Sequence, residues 1–173
     1  SQRVREVLRV KFRQGLFDNP FPGNGPEADA EAGFEKHRDF VMRMGREAVV
    51  LLKNADHFLP LDRKALSRIL VTGPLADEDN YMASRYGPNG LPAVSMLRGL
   101  RDYLAGSGVT VDYEKGCQVK DARFPLSEII PEPLTAEEEE GIRKAVAKAA
   151  DADVVIAVMG GDEGTTGEGR ARP

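Results

Sequence analysis

The chain has 173 residues, 41% of them hydrophobic and 30% charged, with a formal net charge of -4, which leaves room for one domain with a real core or for parts of two. A mildly acidic balance without clustered Lys and Arg argues against a nucleic-acid surface. No apolar run approaches the roughly 18 to 20 residues of a membrane span.

The chain opens on an amphipathic pattern with Val4, Val7, Leu8 and Phe12 on one stripe. This predicts a helix that starts uncapped at the first residue and ends at a left-handed Gly15. A chain that starts inside a helix is expected to be part of a longer one, and the Gly-rich stretch that stops at Pro173 gives the same expectation. Residues 16 to 33, rich in Pro and Gly, predict an extended linker with a domain boundary near residue 30.

From Phe34 to Lys53 the apolar positions Phe40, Val41, Met44, Ala48, Leu51 and Leu52 recur at helical spacing, predicting a long helix that breaks near Asn54. Leu59-Pro60-Leu61 turns the chain back, and Ile69-Leu70-Val71 predicts the first strand. Residues 74 to 93 form a connection longer than the usual 2 to 6 or so of a βα loop, which suggests a role beyond connecting. Val94 to Leu104 predicts a short helix with Met96, Leu97, Leu100 and Leu104 inward, closed by Gly106. Val109, Val111 and Tyr113 alternate with polar residues, as in an edge strand.

After an irregular stretch, Thr135 and Glu138 form a predicted capping box for a helix to about Ala150. The acidic run Glu137 to Glu140 then lies at the positive end of the helix dipole, as a solvated helix start rather than a metal cluster. The apolar run from Asp153 to Met159, bounded by Gly160-Gly161, predicts a third strand covered on both faces.

Alternating strands and helices with right-handed crossovers predict an α/β fold with a parallel sheet. In the order 2-1-3, the loops leaving the first and third strands meet over one crevice, where α/β sheets bind ligands. Arg85 and Tyr86 then face Glu168.

The loop after the third strand carries Asp162, Glu163, Glu168, Arg170 and Arg172 among glycines at 160, 161, 164, 167 and 169. It matches neither GxGxxG nor GxxxxGK[ST], and a phosphate site needs bare N–H groups and a cation, not three carboxylates. Carboxylates beside arginines suit polyol recognition or acid/base work at a sugar; the alternative is that the glycines supply turns and the charges only solubilise the loop. The lone Cys117 and the isolated His37 and His57 have no partners at metal-ligand spacing. Cys117 is expected to be a small buried hydrophobe and the histidines to lie at the surface. Met42, Met44, Met82, Met96 and Met159 are expected mostly to fill core.

Taken together, several stretches resemble glycoside hydrolase family 3, the family of β-glucosidases and β-xylosidases. VREVLRVKFRQGLF (4 to 17) resembles the closing helix of that family's (β/α)8 barrel, and REAVVLLKNADHFLPL (46 to 61) the start of its second domain. ILVTGPLAD (69 to 77) is similar to the first strand and loop of that domain, and ADVVIAVMG with GEGRAR to the strand and loop leading to its acid/base region.

The resemblance implies a barrel remnant at residues 1 to 17, an interdomain linker at 18 to 33 and the first part of a three-layer α/β sandwich domain at 34 to 173. It implies a retaining mechanism in which two carboxyl groups roughly 5 to 5.5 Å apart flank the scissile bond. Glu168 matches the general acid/base, with Glu163 as second choice, and an acid beside a negative nucleophile in a partly dry site is kept protonated. Arg85, Tyr86, Asp162 and Arg170 are the implied substrate contacts.

The aspartate nucleophile would lie on the absent barrel, so this chain alone is expected to be inactive. The implied substrate is a terminal β-linked glucoside, or next a xyloside. The implied partner is the remainder of the same enzyme, with no cofactor and no metal. A periplasmic or secreted location is expected from the resemblance alone. A non-catalytic α/β sugar-binding or assembly module is the alternative.

Overall fold

The computed structural model describes residues 1 to 20, 34 to 79, 93 to 130, 132 to 162, 164 and 165. Its contacts divide the chain into two units, Ser1–Pro60 and Leu61–Pro173. Residues 21 to 33, most of the expected linker at 18 to 33, and Met82 fall outside the described residues.

In the first unit, α1 (Gln2–Arg13) is followed by α2 (Phe34–Ala48). Ser1 occupies the cap position of α1 and its hydroxyl accepts from Val4 N at 3.5 Å, so the helix is capped where an uncapped start was expected. Gly15 takes φ +68, with Gly15 N donating to Phe12 O and Leu16 N to Lys11 O. This is the two-bond left-handed termination that a residue without Cβ adopts most readily. The stripe Val4, Val7, Leu8 and Phe12 is exposed.

α2 stops at Ala48, five residues short of the expected Lys53. The β-branched pair Val49-Val50 loses side-chain freedom in a helix, and residues 49 to 54 carry no helical structure, their apolar side chains exposed. The turn beyond is closed by Asn54, whose side-chain amide donates to Leu59 O at 2.9 Å and accepts from Leu59 N at 2.8 Å.

The second unit contains β1 (Arg68–Thr72), α3 (Met96–Leu104), β2 (Thr110–Glu114), α4 (Ala136–Ala149) and β3 (Val154–Ala157). The three strands form a sheet in the order β2-β1-β3, and both pairings are parallel, with Val71 opposite Tyr113 on one side and Ile156 on the other. β1 is central and its Ile69, Leu70 and Val71 are buried on both faces. Ile69 and Val71 pack with Ala76, Leu97 and Leu104 into the core, flanked by Val111, Tyr113, Ile156 and Val158.

The crossovers from β1 to β2 and from β2 to β3 run in opposite directions, so right-handed connections put α3 and α4 on opposite faces. Leu97 is 1% exposed at the centre of the α3 side. Leu97→Ala is expected to cost about 2 to 5 kcal/mol, the range for a truncated buried leucine, read as a lowered urea midpoint without a change in slope.

α4 begins with the expected capping box: Glu138 N donates to Thr135 Oγ1 at 3.3 Å and Thr135 N to Glu138 Oε2 at 2.7 Å. It reaches β2 through Lys148, whose ammonium donates to Tyr113 O at 2.8 Å and pairs with Glu114 at 2.9 Å. At its middle a Cβ on Gly141 would lie 2.4 Å from Gly116 O, so the helix and the chain leaving β2 approach backbone to backbone.

The third strand is not covered on both faces as expected. Val155, opposite Leu70, is 46% exposed. α4 contacts β1 and β2, which leaves that face of β3 open among the described residues. The methionines also differ from expectation: Met42, Met44, Met96 and Met159 are exposed. Helical spacing placed Met96 inward, but the inner face of α3 is taken by Leu97 and Leu104. Cys117 is half-buried, not buried, and His37 and His57 are exposed.

Asp153 joins α4 to β3 and fastens the sheet's near end. Its carboxylate accepts from Ser67 N at 2.7 Å and Arg68 N at 2.8 Å. These bonds, Arg68 N foremost, favour the charged form and hold its pKa below the ordinary aspartate value. A folded pKa below the unfolded one contributes stability that is present above the unfolded value of about 4 and lost as pH falls through the folded value. Asp153→Asn is therefore expected to destabilise at neutral pH, with the difference from wild type shrinking below about pH 4. Urea midpoints across that range provide the check; a difference independent of pH would remove the carboxylate's role.

Candidate active site at the carboxyl ends of β1 and β3

At its carboxyl end β1 enters Gly73, whose φ is +112. Val158 N donates to Thr72 O at 2.7 Å, extending the β1–β3 contact beyond the strand. A Cβ on Gly73 would lie 2.3 Å from Val158 O, and one on Gly160 would lie 2.9 Å from Leu75 Cδ1. The loops leaving β1 and β3 thus start in contact, as the strand order requires.

The β1 loop is anchored on the start of α3. Ala76 is fully buried and its carbonyl accepts from Leu97 N at 2.9 Å. Asp79 accepts from Ser95 N at 2.8 Å and from the Arg98 guanidinium at 2.6 Å. Asp77 accepts from the Ser95 hydroxyl, which caps the helix by accepting from Arg98 N at 3.2 Å. Asp77 and Asp79 therefore tie the loop to the helix. On the neighbouring strand the Tyr113 phenol is pushed up by burial and then by the charges of Asp77, Glu114 and Glu78, so it remains a neutral hydroxyl at neutral pH.

The β3 loop begins with a closed turn. Asp162 N donates to Thr165 Oγ1 at 2.9 Å, the hydroxyl donates back to Asp162 O at 2.8 Å, and Thr165 N donates to Asp162 Oδ1 at 2.8 Å. Thr165 is fully buried, and these bonds satisfy the polar groups that burial would otherwise leave unpaired. Lys120, from the segment after β2, reaches this turn: a Cβ on Gly164 would lie 2.7 Å from its Nζ and 3.2 Å from Asp162 Oδ1.

Of the residues expected to form the site, Asp162 is described: it is half-buried at the root of the β3 loop. Glu163, Glu168, Arg170, Arg85 and Tyr86 lie outside the described residues. Lys120, Thr165 and Tyr113 were not among the expected site residues. The Asp-x-x-Thr spacing at 162 to 165 signals side-chain-closed turns and could have picked out Thr165. Lys120 is distant in sequence and gives no such signal. Among the described residues no group of three His, Cys, Asp or Glu is placed to hold a metal.

Residues 49 to 173 match the model of the glycosyl hydrolase family 3 C-terminal domain. The chain belongs to glycosyl hydrolase family 3. Within the family it is 33% identical to the periplasmic beta-glucosidase of Salmonella typhimurium, with 98% of this chain and 23% of that protein aligned. It is 30% identical to a beta-xylosidase of Formosa agariphila, over 99% of this chain and 22% of that protein.

Among solved structures it resembles a β-glucosidase of Erythrobacter marinus, with a TM-score of 0.73 and 31% identity over 96% of this chain and 23% of that one. A β-glucosidase involved in saponin metabolism in intestinal bacteria superposes with a TM-score of 0.72 at 28% identity, over 94% of this chain and 24% of that one. The family 3 chain thus spans about a fifth to a quarter of the length of these relatives. Its parallel sheet flanked by helices is the α/β sandwich expected from the sequence. No helix among the described residues is long and apolar enough to cross a membrane.

Proposed function

We propose that the chain is the segment of a retaining, exo-acting β-glycosidase that supplies the general acid/base, with Glu168 in that role and Glu163 as the second candidate. The substrate is a terminal β-linked glucoside or, next, a xyloside, held in part by Arg85, Tyr86, Asp162 and Arg170. Residues 1 to 17 are the last helix of a barrel domain that carries the aspartate nucleophile, residues 18 to 33 the linker, and residues 34 to 173 the first part of the sandwich. The full-length enzyme is exported.

The observation that carries this reading is the start of the carboxylate-rich loop at the carboxyl end of β3, in contact with the loop from β1 at the point where the strand order reverses. That is where a parallel sheet presents groups to a ligand. Membership of the family supports glycoside chemistry, and relatives named β-glucosidase and β-xylosidase support the substrate classes. A relative named as periplasmic supports export. The exposed stripe on α1 is consistent with a helix that packs against further polypeptide.

In this mechanism the nucleophile attacks the anomeric carbon as Glu168 gives its proton to the leaving oxygen; Glu168 then takes a proton from the water that hydrolyses the glycosyl-enzyme. Alanine at position 168 of the full-length enzyme tests the assignment, with leaving-group dependence as the readout.

A further inference from the structure

Thr165 stands out among the described residues because it is polar, fully buried and lies in a loop, not in the sheet or a helix. Its hydroxyl and amide both bond to Asp162: the hydroxyl accepts from Asp162 N at 2.9 Å and donates to Asp162 O at 2.8 Å, and Thr165 N reaches Asp162 Oδ1 at 2.8 Å. The turn is closed on itself just past the end of β3. Lys120 reaches it from the far side of the sheet order, its ammonium in the space that a side chain at Gly164 would take.

A loop that only solubilised the sheet edge would need neither a buried hydroxyl nor a cross-loop ammonium. A loop that must present a proton donor to within a fraction of an ångström needs its root held, because small misplacements of a reacting group are costly in rate. We infer that Thr165, Asp162 and Lys120 are positioning residues, which lock the root of the β3 loop so that its acid meets the leaving oxygen. This rests on the reading that the loop carries the acid. It assigns Asp162 a structural use of its carboxylate, in addition to the substrate contact proposed above.

The test uses the full-length enzyme with Thr165→Val, Thr165→Ser and Lys120→Met, beside Glu168→Ala. The readout is kcat/KM for a β-linked disaccharide or alkyl glycoside against that for a dinitrophenyl glycoside, whose leaving group departs without protonation. Thr165→Val is expected to lower the first by about 10- to 100-fold, mainly in kcat, and the second by less than about threefold. Lys120→Met should give a smaller loss of the same kind, and Thr165→Ser, which keeps the hydroxyl, should retain most of the activity.

If Glu168→Ala discriminates between the substrates and Thr165→Val does not, the lock is overturned and the acid assignment stands. If Thr165→Val discriminates and Glu168→Ala does not, the lock stands and another carboxyl in the loop is the acid. Equal losses on both substrates from Thr165→Val, or no loss, would mean that the turn serves the fold alone.

Discussion

Glu168→Ala in the full-length enzyme is expected to lower kcat/KM for disaccharides and alkyl β-glycosides by about 10²- to 10⁴-fold, the usual contribution of a positioned general acid. The loss should nearly vanish for dinitrophenyl glycosides. The reason is the charge on the departing oxygen: an alkoxide must be protonated as it leaves, whereas a dinitrophenolate is stable without a proton. For the activated substrates the second step then becomes slow, because the same carboxylate would deprotonate the attacking water. Both kcat and KM should fall for them, and added azide, which needs no base, should restore turnover and give a glycosyl azide of retained configuration. Uniform losses across leaving groups without azide rescue would sink the assignment, and Glu163→Ala is the next variant to measure.

A second substitution with a large expected effect is Gly73→Ala. At φ +112 an L side chain adopts a conformation that costs of order 1 to 3 kcal/mol, and its Cβ would fall 2.3 Å from Val158 O. That neighbour is backbone, held by the bond from Val158 N to Thr72 O, so it cannot swing aside as a flexible side chain would. Relief of the clash requires β1 and β3 to separate at their carboxyl ends, adding about 1 to 3 kcal/mol of overpacking. The sum is about 2 to 6 kcal/mol of destabilisation, readable as a lowered unfolding midpoint. Activity should fall even where the protein stays folded, because both loops of the candidate site start at this contact. Gly164→Ala offers the contrast: the nearest atoms its Cβ would meet belong to side chains, Lys120 Nζ and the Asp162 carboxylate oxygens, so its effect on stability should be smaller than that of Gly73→Ala.

Much of this architecture was legible in the residues. Ile69-Leu70-Val71 is a short apolar run with no polar alternation, as a strand covered on both faces reads, and β1 is buried on both faces. Val109, Val111 and Tyr113 alternate with polar residues, and β2 lies at the edge of the described sheet. The spacing of Thr135 and Glu138 was enough to place the start of α4, because a capping box is a contact between residues three apart. Right-handed crossovers depend on chain chirality and not on particular side chains, but they do not select among strand orders, and β2-β1-β3 is decided by the strand pairing itself.

The misplaced features share a cause. The apolar spacing of Leu51 and Leu52 suited a helix, yet the β-branched residues at 49 and 50 mark where α2 ends. Met96 lies one position from Leu97 on the same short helix, and the pattern alone did not separate the exposed side chain from the buried one. Val155 has the composition of a residue covered by a helix, but α4 lies over β1 and β2.

The amino-acid order by itself determined the α/β class with its parallel sheet, the capping box of α4, the left-handed end of α1 at Gly15 and the family, since each is encoded in periodicities, short contacts or motifs within a few residues of one another. Only the tertiary structure decided how closely Gly73 meets Val158, that Thr165 is buried against Asp162, and that Lys120 arrives at Gly164 from a segment more than forty residues away. Those contacts depend on which atoms the folded sheet brings opposite one another, and hydrophobic pattern carries no information about a distance between loops.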